Sequence, residues 1–499
     1  MGDIASGVYL KITDNSFSSA GRSSVRIIVP MYLKKGEVGL NEVNGSNFKD
    51  IVGYDPADSK YLGLEDILRN VASCIVWRIN SQPSSGDTNR ITYGEVHLTS
   101  VTSTSAWATG TVSSLDALAD ISNVKIAVAA KYPGSWTSEE HLKFKIERAN
   151  SSQTSDITEL IMVTTDNDVV TRTPFSLNPN SDSHWSKVDF KNVVVYVDST
   201  ITGLSYDSTY KLFDTETTIS GGADGYPEST LLANPSYLSL SPLDDCGCNI
   251  LLTNGNFPAP FVTHILTGSA KNKIHMFADV PDDQTYSAIA TYAESITKNI
   301  TTMRYLTIVG RPEKVGNVLV HASCKYAEIF ANMLSATNSL NYPPAGATYG
   351  TVSVQELMPC DYELHKDDMK TNRINYLTVN SLGTMMWEQR TMYRDDTDLS
   401  YIAPNFIIDE LSDLIIEHER RFNFRYMTDT DLSVNKSGLV QILNSYVDRG
   451  FLYSYSLKVP NVQEAQASGR TLNIMIKVQV MKDSEVINID LQLTNNVNA

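Results

Sequence analysis

Residues 471–480 read TLNIMIKVQV, and residues 487–493 read INIDLQL. In the first run Leu472, Ile474, Ile476, Val478 and Val480 share one face, with Thr471, Asn473, Lys477 and Gln479 on the other. In the second, Ile487, Ile489, Leu491 and Leu493 alternate with Asn488, Asp490, Gln492 and Thr494. Side chains of a strand point alternately to its two faces, so this alternation predicts two half-buried strands. A strand close to a chain terminus needs a sheet to join. That sheet lies in the same molecule, as a hairpin of the two runs, or in a neighbour. The residues alone favour the hairpin.

Upstream, residues 406–422 predict an amphipathic helix. Ile407, Leu411, Leu414, Ile415 and Phe422 fall near one face, and Glu417, Glu419, Arg420 and Arg421 crowd the last turns. A second helix spans 439–449 and stops at Gly450, a favourable C-terminal glycine. With the strand at 471–480 these define a C-terminal α+β domain over 361–484, followed by an arm at 485–499. Residues 201–360 alternate apolar runs (250–252, 274–278, 305–309) with helical patterns (286–300, 322–334), an α/β layout with a parallel sheet. Residues 25–81 add a strand-like run at 25–33, a helix at 64–72 and a buried-strand candidate at 74–79. Pro30 inside the first of these predicts an edge or a strand end. Between the two α/β parts, 82–200 is rich in Ser, Thr and Asn with short alternating runs at 124–129, 142–146, 159–163 and 193–197, which predicts an inserted antiparallel sandwich or barrel. Residues 1–24 form an N-terminal arm and linker, with Val8, Leu10 and Ile12 on one face of a short strand.

The chain has 499 residues, enough for about two to four domains with real cores. Forty Lys+Arg against 57 Asp+Glu leaves a net charge of −17, which argues against general affinity for nucleic acid or anionic membranes. No apolar run reaches the roughly 18 residues of a membrane span. The N-terminus lacks the basic start and apolar core of a signal peptide, so synthesis in a cytosol is expected. Its MGxxxS start fits the myristoylation pattern only formally and reads more simply as a solvated arm. Five cysteines, odd and sparse, do not form a secreted disulfide framework.

The search for chemistry is largely empty. Cys246-Gly-Cys248 lacks CxxC spacing and a second ligand pair. SGGADG at 220–225 lacks both the Walker Lys-Ser/Thr and GxGxxG spacing, so its glycines read as a tight turn. His275 and His418 read as packed histidines, and the acidic pairs near 282 and 395 as solvated loops. No catalytic residue, cofactor or metal site is expected. An α/β hydrolase remains the competing class.

Several stretches, in one order, resemble contractile tail sheath proteins. GVYLKI (7–12) resembles the family's N-terminal GVYV-type strand, and 64–79 its helix followed by a "vvRv" strand. AKYPGSW (130–136) is similar to its "AkypGtwGN", ISGGADG (219–225) to "LaGGtDG", PPAG (343–346) to a proline-glycine loop, and MWEQRT (386–391) to "vwGqRT". The closing strand pair around Glu485 is similar to its terminal "p.E.I.i.i.l". Thr137, Ser138 and Glu388 depart from the pattern, as does YIAPN at 401–405, where the family has an Arg-rich strand.

The resemblance implies a bacteriophage-type sheath subunit, a non-enzyme made in bacterial cytoplasm and built into a virion. It would form stacked hexameric rings around a tail tube protein, between baseplate and tail terminator, with no cofactor, nucleic acid or membrane insertion. The middle domain would be subtilisin-like without protease function, the β insert outward-facing and the C-terminal domain tube-proximal. Val8, Leu10 and Ile12 would anchor the N-arm, and Ile487, Ile489, Leu491 and Leu493 the C-arm, in neighbouring sheets. Leu472, Ile474, Ile476 and Val478 would receive a neighbour's strand. Here the resemblance favours exchange over an internal hairpin. Arg420, Arg421 and Arg425 are candidates for a tube-facing surface, or equally the solvated end of a core helix. A pyocin-like or type VI secretion sheath fits the same pattern.

Overall fold

The computed structural model describes residues 25–483 except 82–89, 102–105, 140–141, 167, 207–212, 214, 283–284, 297–301 and 396. Both arm runs, with Val8, Leu10 and Ile12 and with Ile487, Ile489, Leu491 and Leu493, lie outside the described residues.

An eight-stranded sheet organises the chain. Its centre is parallel, in the order Ile374–Asn380, Leu306–Gly310, His275–Asp279, Ile250–Leu252, Ile27–Met31, Cys74–Arg78. An antiparallel strand closes each side, Gly383–Trp387 beside the first and Gly39–Val43 beside the last. Parallel strands covered on both faces read as unbroken apolar runs, as IIVPM and LTIVG do. Alternate residues then feed two cores. Ile28, Trp77, Leu251, Met276 and Ile308 pack against the helices Ala259–Lys271 and Tyr286–Ser295. Val29, Val76, Leu252, Phe277 and Val309 pack against Ser59–Asn70 and Lys325–Thr337. The α/β layer runs past residue 360, because 374–387 supplies two of its strands.

The strand that holds Pro30 is central, not an edge, and Pro30 stands one residue from its end. It is tolerated because the short neighbour Ile250–Leu252 pairs only with Ile27 and Ile28, so no ladder bond on that side is asked of Pro30.

The insert is a pair of antiparallel sheets over a shared core. One holds Ile91–Leu98, Ala108–Val112, Ile126–Ala130, Val193–Val197 and Ala223–Asp224; the other holds Lys143–Arg148, Glu159–Asp166, Val169–Ser176 and Thr217–Thr218. Val96, Val128 and Val195 from the first meet Phe144, Met162 and Phe175 from the second. Strands continue to Asp224, beyond residue 200, because the return crossing also pairs.

Three stretches singled out in the sequence meet where the insert joins the α/β layer. Arg78 ends its strand fully buried, and its Nη1 donates to the carbonyls of Gly36 (2.6 Å) and Pro133 (2.8 Å). Its Nη2 lies 3.3 Å from Asp224 Oδ1. Asp224 also accepts from the Ser135 amide (2.9 Å) and hydroxyl (2.6 Å). Asn80 Nδ2 donates to the Asp224 carbonyl at 3.0 Å. The glycines are there for approach: a Cβ on Gly134 would strike the Lys34 carbonyl, and one on Gly222 the Gly134 carbonyl. The space that a phosphate would need at 220–225 is therefore occupied by backbone. Removing one partner of a buried, hydrogen-bonded charge leaves the other uncompensated. Arg78→Leu is expected to lower stability by about 3–5 kcal/mol in urea unfolding; a loss under about 1 kcal/mol would show that this joint contributes little.

Candidate assembly site

The strand Met475–Val480 does form, and among the described residues its partner is Leu452–Lys458; the run at 487–493 lies outside them. The sequence reading missed this partner. LYSYSLK mixes Tyr and Ser, and a bulge between Leu452 and Ser454 breaks its parity. Past the bulge, Leu452, Tyr455 and Leu457 share a face and stand opposite Val480, Val478 and Ile476. That face rests on a core of Ile407, Leu411, Ile415, Leu439, Leu443 and Tyr446. Leu472 and Ile474 precede the strand and are half-buried. Among the described residues each strand of this ribbon pairs only with the other. A two-stranded ribbon is marginal alone and depends on the helices beneath it.

Those helices are Ile402–Arg420 and Asp429–Asp448. The first starts four residues before Phe406: YIAPN is its first turn, where Pro404 lacks only an amide that has no helical partner anyway. The second starts ten residues before Leu439. Its first half, DTDLSVNKSG, is too polar for the apolar period to register, yet its start signals are clear. Thr428 accepts from the Asp431 amide (3.1 Å), and Asp429 and Asp431 lie in the first turn. The helices approach closely at Gly438, where a Cβ would strike the His418 ring. His418 is a packed histidine, its Nε2 3.2 Å from the Asn435 carbonyl. Arg420, Arg421 and Arg425 are exposed around the turn between the helices. Arg421 lies 3.3 Å from Glu417 and Arg425 3.9 Å from Asp431. Phe424 and Tyr426 project beside them, 90 % and 88 % exposed.

Buried polar contacts fix the first helix to the large sheet. Asp409 accepts from Arg304 Nη2 (2.9 Å) and the Tyr305 hydroxyl (3.1 Å) through Oδ1, and meets His275 Nε2 at 3.1 Å through Oδ2. One turn on, Asp413 pairs with Lys273 at 2.6 Å. Burial pushes the Asp409 carboxyl up, but the Arg304 charge and the His275 hydrogen bond outweigh it and hold it at about 2. Burial lowers the His275 pKa although Asp409 pulls the other way, so the ring stays neutral and donates through Nε2.

The MWEQRT stretch forms a further joint. Glu388 has φ +70°, a left-handed conformation that suits glycine, which is the residue the resemblance led one to expect there. After it, the Arg390 amide donates to Asn375 (2.7 Å), the Thr391 amide to the Ser400 carbonyl (2.9 Å) and Gln389 Nε2 to Asp483 (2.7 Å).

A reaction centre in this class of sheet would sit outside the carboxyl ends of the strands, where the winding reverses between Ile27–Met31 and Ile250–Leu252. That crevice is filled. Asn254 donates to the Lys60 carbonyl (2.7 Å) and meets Cys324 Sγ at 3.1 Å. Asp279 is buried and accepts from Thr253, Gly255 and both the amide and hydroxyl of Ser323. Ser323 thus donates its proton to a structural carboxylate. Cys246 and Cys248 are buried thiols outside any disulfide, Cys246 Sγ donating to the Leu243 carbonyl and Cys248 Sγ to the Cys246 carbonyl, and no group of three or more metal-ligating side chains occurs among the described residues.

The fold as a whole is similar to that of sheath tail proteins. The sheath tail protein of Desulfitobacterium hafniense is 12 % identical and aligns over 91 % of this chain and 93 % of its own, with a TM-score of 0.57. That of Listeria innocua is 13 % identical over 94 % and 97 %, with a TM-score of 0.55. The helical sheath of the anti-feeding prophage in its contracted state is 11 % identical over 98 % and 99 %, with a TM-score of 0.50. No family model and no curated protein matches the sequence. The resemblance read from the motifs is met in the fold.

Two outcomes follow from the joints. The unfolded chain protonates histidine near pH ~6.5 while buried His275 resists, so this site's stability is full above about pH 6.5 and falls as pH drops. Asp409 acts lower: its share is present above ~3.9 and is lost as pH falls toward about 2. His275→Gln keeps a donor toward Asp409 without titrating. It should lose less stability than wild type between pH 8 and pH 5 in urea unfolding, and an unchanged difference would mean His275 is not held neutral. Glu388→Gly should relieve about 1 kcal/mol of left-handed strain, less the 3.7 Å contact to Arg390. A clear loss of melting temperature would show that the side chain matters more than the backbone.

Proposed function

We propose that this chain is the sheath subunit of a contractile particle, a structural protein rather than an enzyme. The observation that carries the reading is the two-stranded ribbon on a fixed helix pair, in a chain with a sheath fold and alternating runs near both termini. A free strand edge recruits another chain through backbone hydrogen bonds, and alternate side chains fill the face below. Ile487, Ile489, Leu491 and Leu493 of one subunit, and Val8, Leu10 and Ile12 of another, extend the ribbon of a third beside Leu472, Ile474, Ile476 and Val478. Repeated, this joins stacked hexameric rings around a tail tube, between baseplate and terminator, in a virion assembled in bacterial cytoplasm. The middle layer is a subtilisin-like domain without protease function and the sandwich faces outward. The tip with Arg420, Arg421 and Arg425 faces the tube. Contraction draws its energy from new packing between subunits, with no nucleotide hydrolysed.

Purified protein is expected to form long tubes or contracted polysheath in negative-stain micrographs. Deleting residues 485–499 should leave folded subunits that do not polymerise. Monodisperse wild-type monomers under all conditions would sink the sheath reading, and full-length tubes from the truncated chain would sink strand exchange. The same experiment on a purified particle separates a phage tail from a pyocin-like or type VI sheath by what caps the tube.

A further inference from the structure

The ribbon ladder ends with the Met481 amide on the Phe451 carbonyl (3.0 Å). Two residues later the chain is tied to a different part of the molecule. Gln389 Nε2 donates to Asp483 Oδ2 at 2.7 Å, across 94 positions of sequence. The two ends of this bond differ in character: Asp483 is exposed, whereas Gln389 is 3 % exposed and held from several sides. Its carbonyl accepts the Ile402 amide at 3.0 Å, and its side-chain oxygen lies 3.5 Å from the Ala403 amide. Gln389 therefore sits on the first turn of the helix Ile402–Arg420, with its amide group turned outward. The positive end of the helix dipole adds to its hold on a carboxylate.

Resting on the sheath reading, we propose that Gln389 is a positioning residue for assembly. It pins Asp483 to the edge of the α/β layer, so the chain beyond Asp483 departs from a point fixed on that layer instead of swinging on the end of the ribbon. A strand delivered to a neighbour from a fixed root samples fewer directions and loses less entropy on docking.

Donor and acceptor can be exchanged, and this supplies the test. Critical concentration for tube formation is measured by sedimentation, with subunit melting temperature as control. Asp483→Ala removes the acceptor from an exposed position and should raise the critical concentration about tenfold without lowering the melting temperature. Gln389→Glu sets two carboxylates face to face and should also raise the critical concentration, with some loss of melting temperature because the new charge is buried. Asp483→Asn keeps an acceptor oxygen and should assemble like wild type. The double variant Gln389→Glu/Asp483→Asn restores the bond with its direction reversed and should recover assembly. Wild-type assembly by Asp483→Ala, or a folded double variant no better than Gln389→Glu, overturns the positioning role while leaving the sheath reading intact. Absence of tubes from wild type overturns both.

Discussion

A guanidinium without water must find its partners within the fold, and Arg78 is in that position. It closes a central strand, fully buried, at the place where the chain leaves the large sheet and returns from the sandwich. Its two Nη groups find these partners only if Gly36, Pro133 and Asp224 converge. That requirement sets the position of the insert on the α/β layer more tightly than apolar packing would, because hydrophobic contact tolerates sliding and a forked donor does not. Gly134 and Gly222 then have to be glycine, since the backbones they bring together leave no room for a side chain.

The same device recurs at the other end of the chain. Asp409 and Asp413 hold the long helix through Arg304, His275 and Lys273. In both places an aqueous-looking group is withdrawn from water and matched from the facing element. Such contacts add little net stability over apolar packing, but breaking one side is costly, so they favour one arrangement of elements over near alternatives.

How much of this was legible in the sequence depends on distance along the chain. Five of the parallel strands were readable because each is a local apolar run, and the insert because its strands alternate locally; Ile374–Asn380, INYLTVN, is broken by polar residues and was missed. The first helix was readable from its apolar face. Leu452–Lys458 was hidden by its bulge and its tyrosines, and the early turns of the second helix by their polarity. Pro30 pointed to an edge because sequence does not show how short the neighbouring strand is. The joints were visible only as motifs: AKYPGSW, ISGGADG and the arginine of the WRI strand could be noticed, but not that Arg78, Ser135 and Asp224 meet. Gln389 stood inside a recognised stretch with no sign of a partner at Asp483. In each case the missing information is the identity of a residue tens to hundreds of positions away.

The helix Ile402–Arg420 has 19 residues, a rod of about 28 Å. It is gripped at Asp409 and Asp413, one turn apart, and ends in a projecting turn that carries Phe424 and Tyr426. Mechanically this is a short cantilever. A sideways load on the tip becomes a torque, resisted by a couple between two buried ionic grips and delivered to the strand that begins at His275 and the turn before it at Lys273. The load path runs through side chains into the large sheet, and the single backbone strand at Tyr401 is spared.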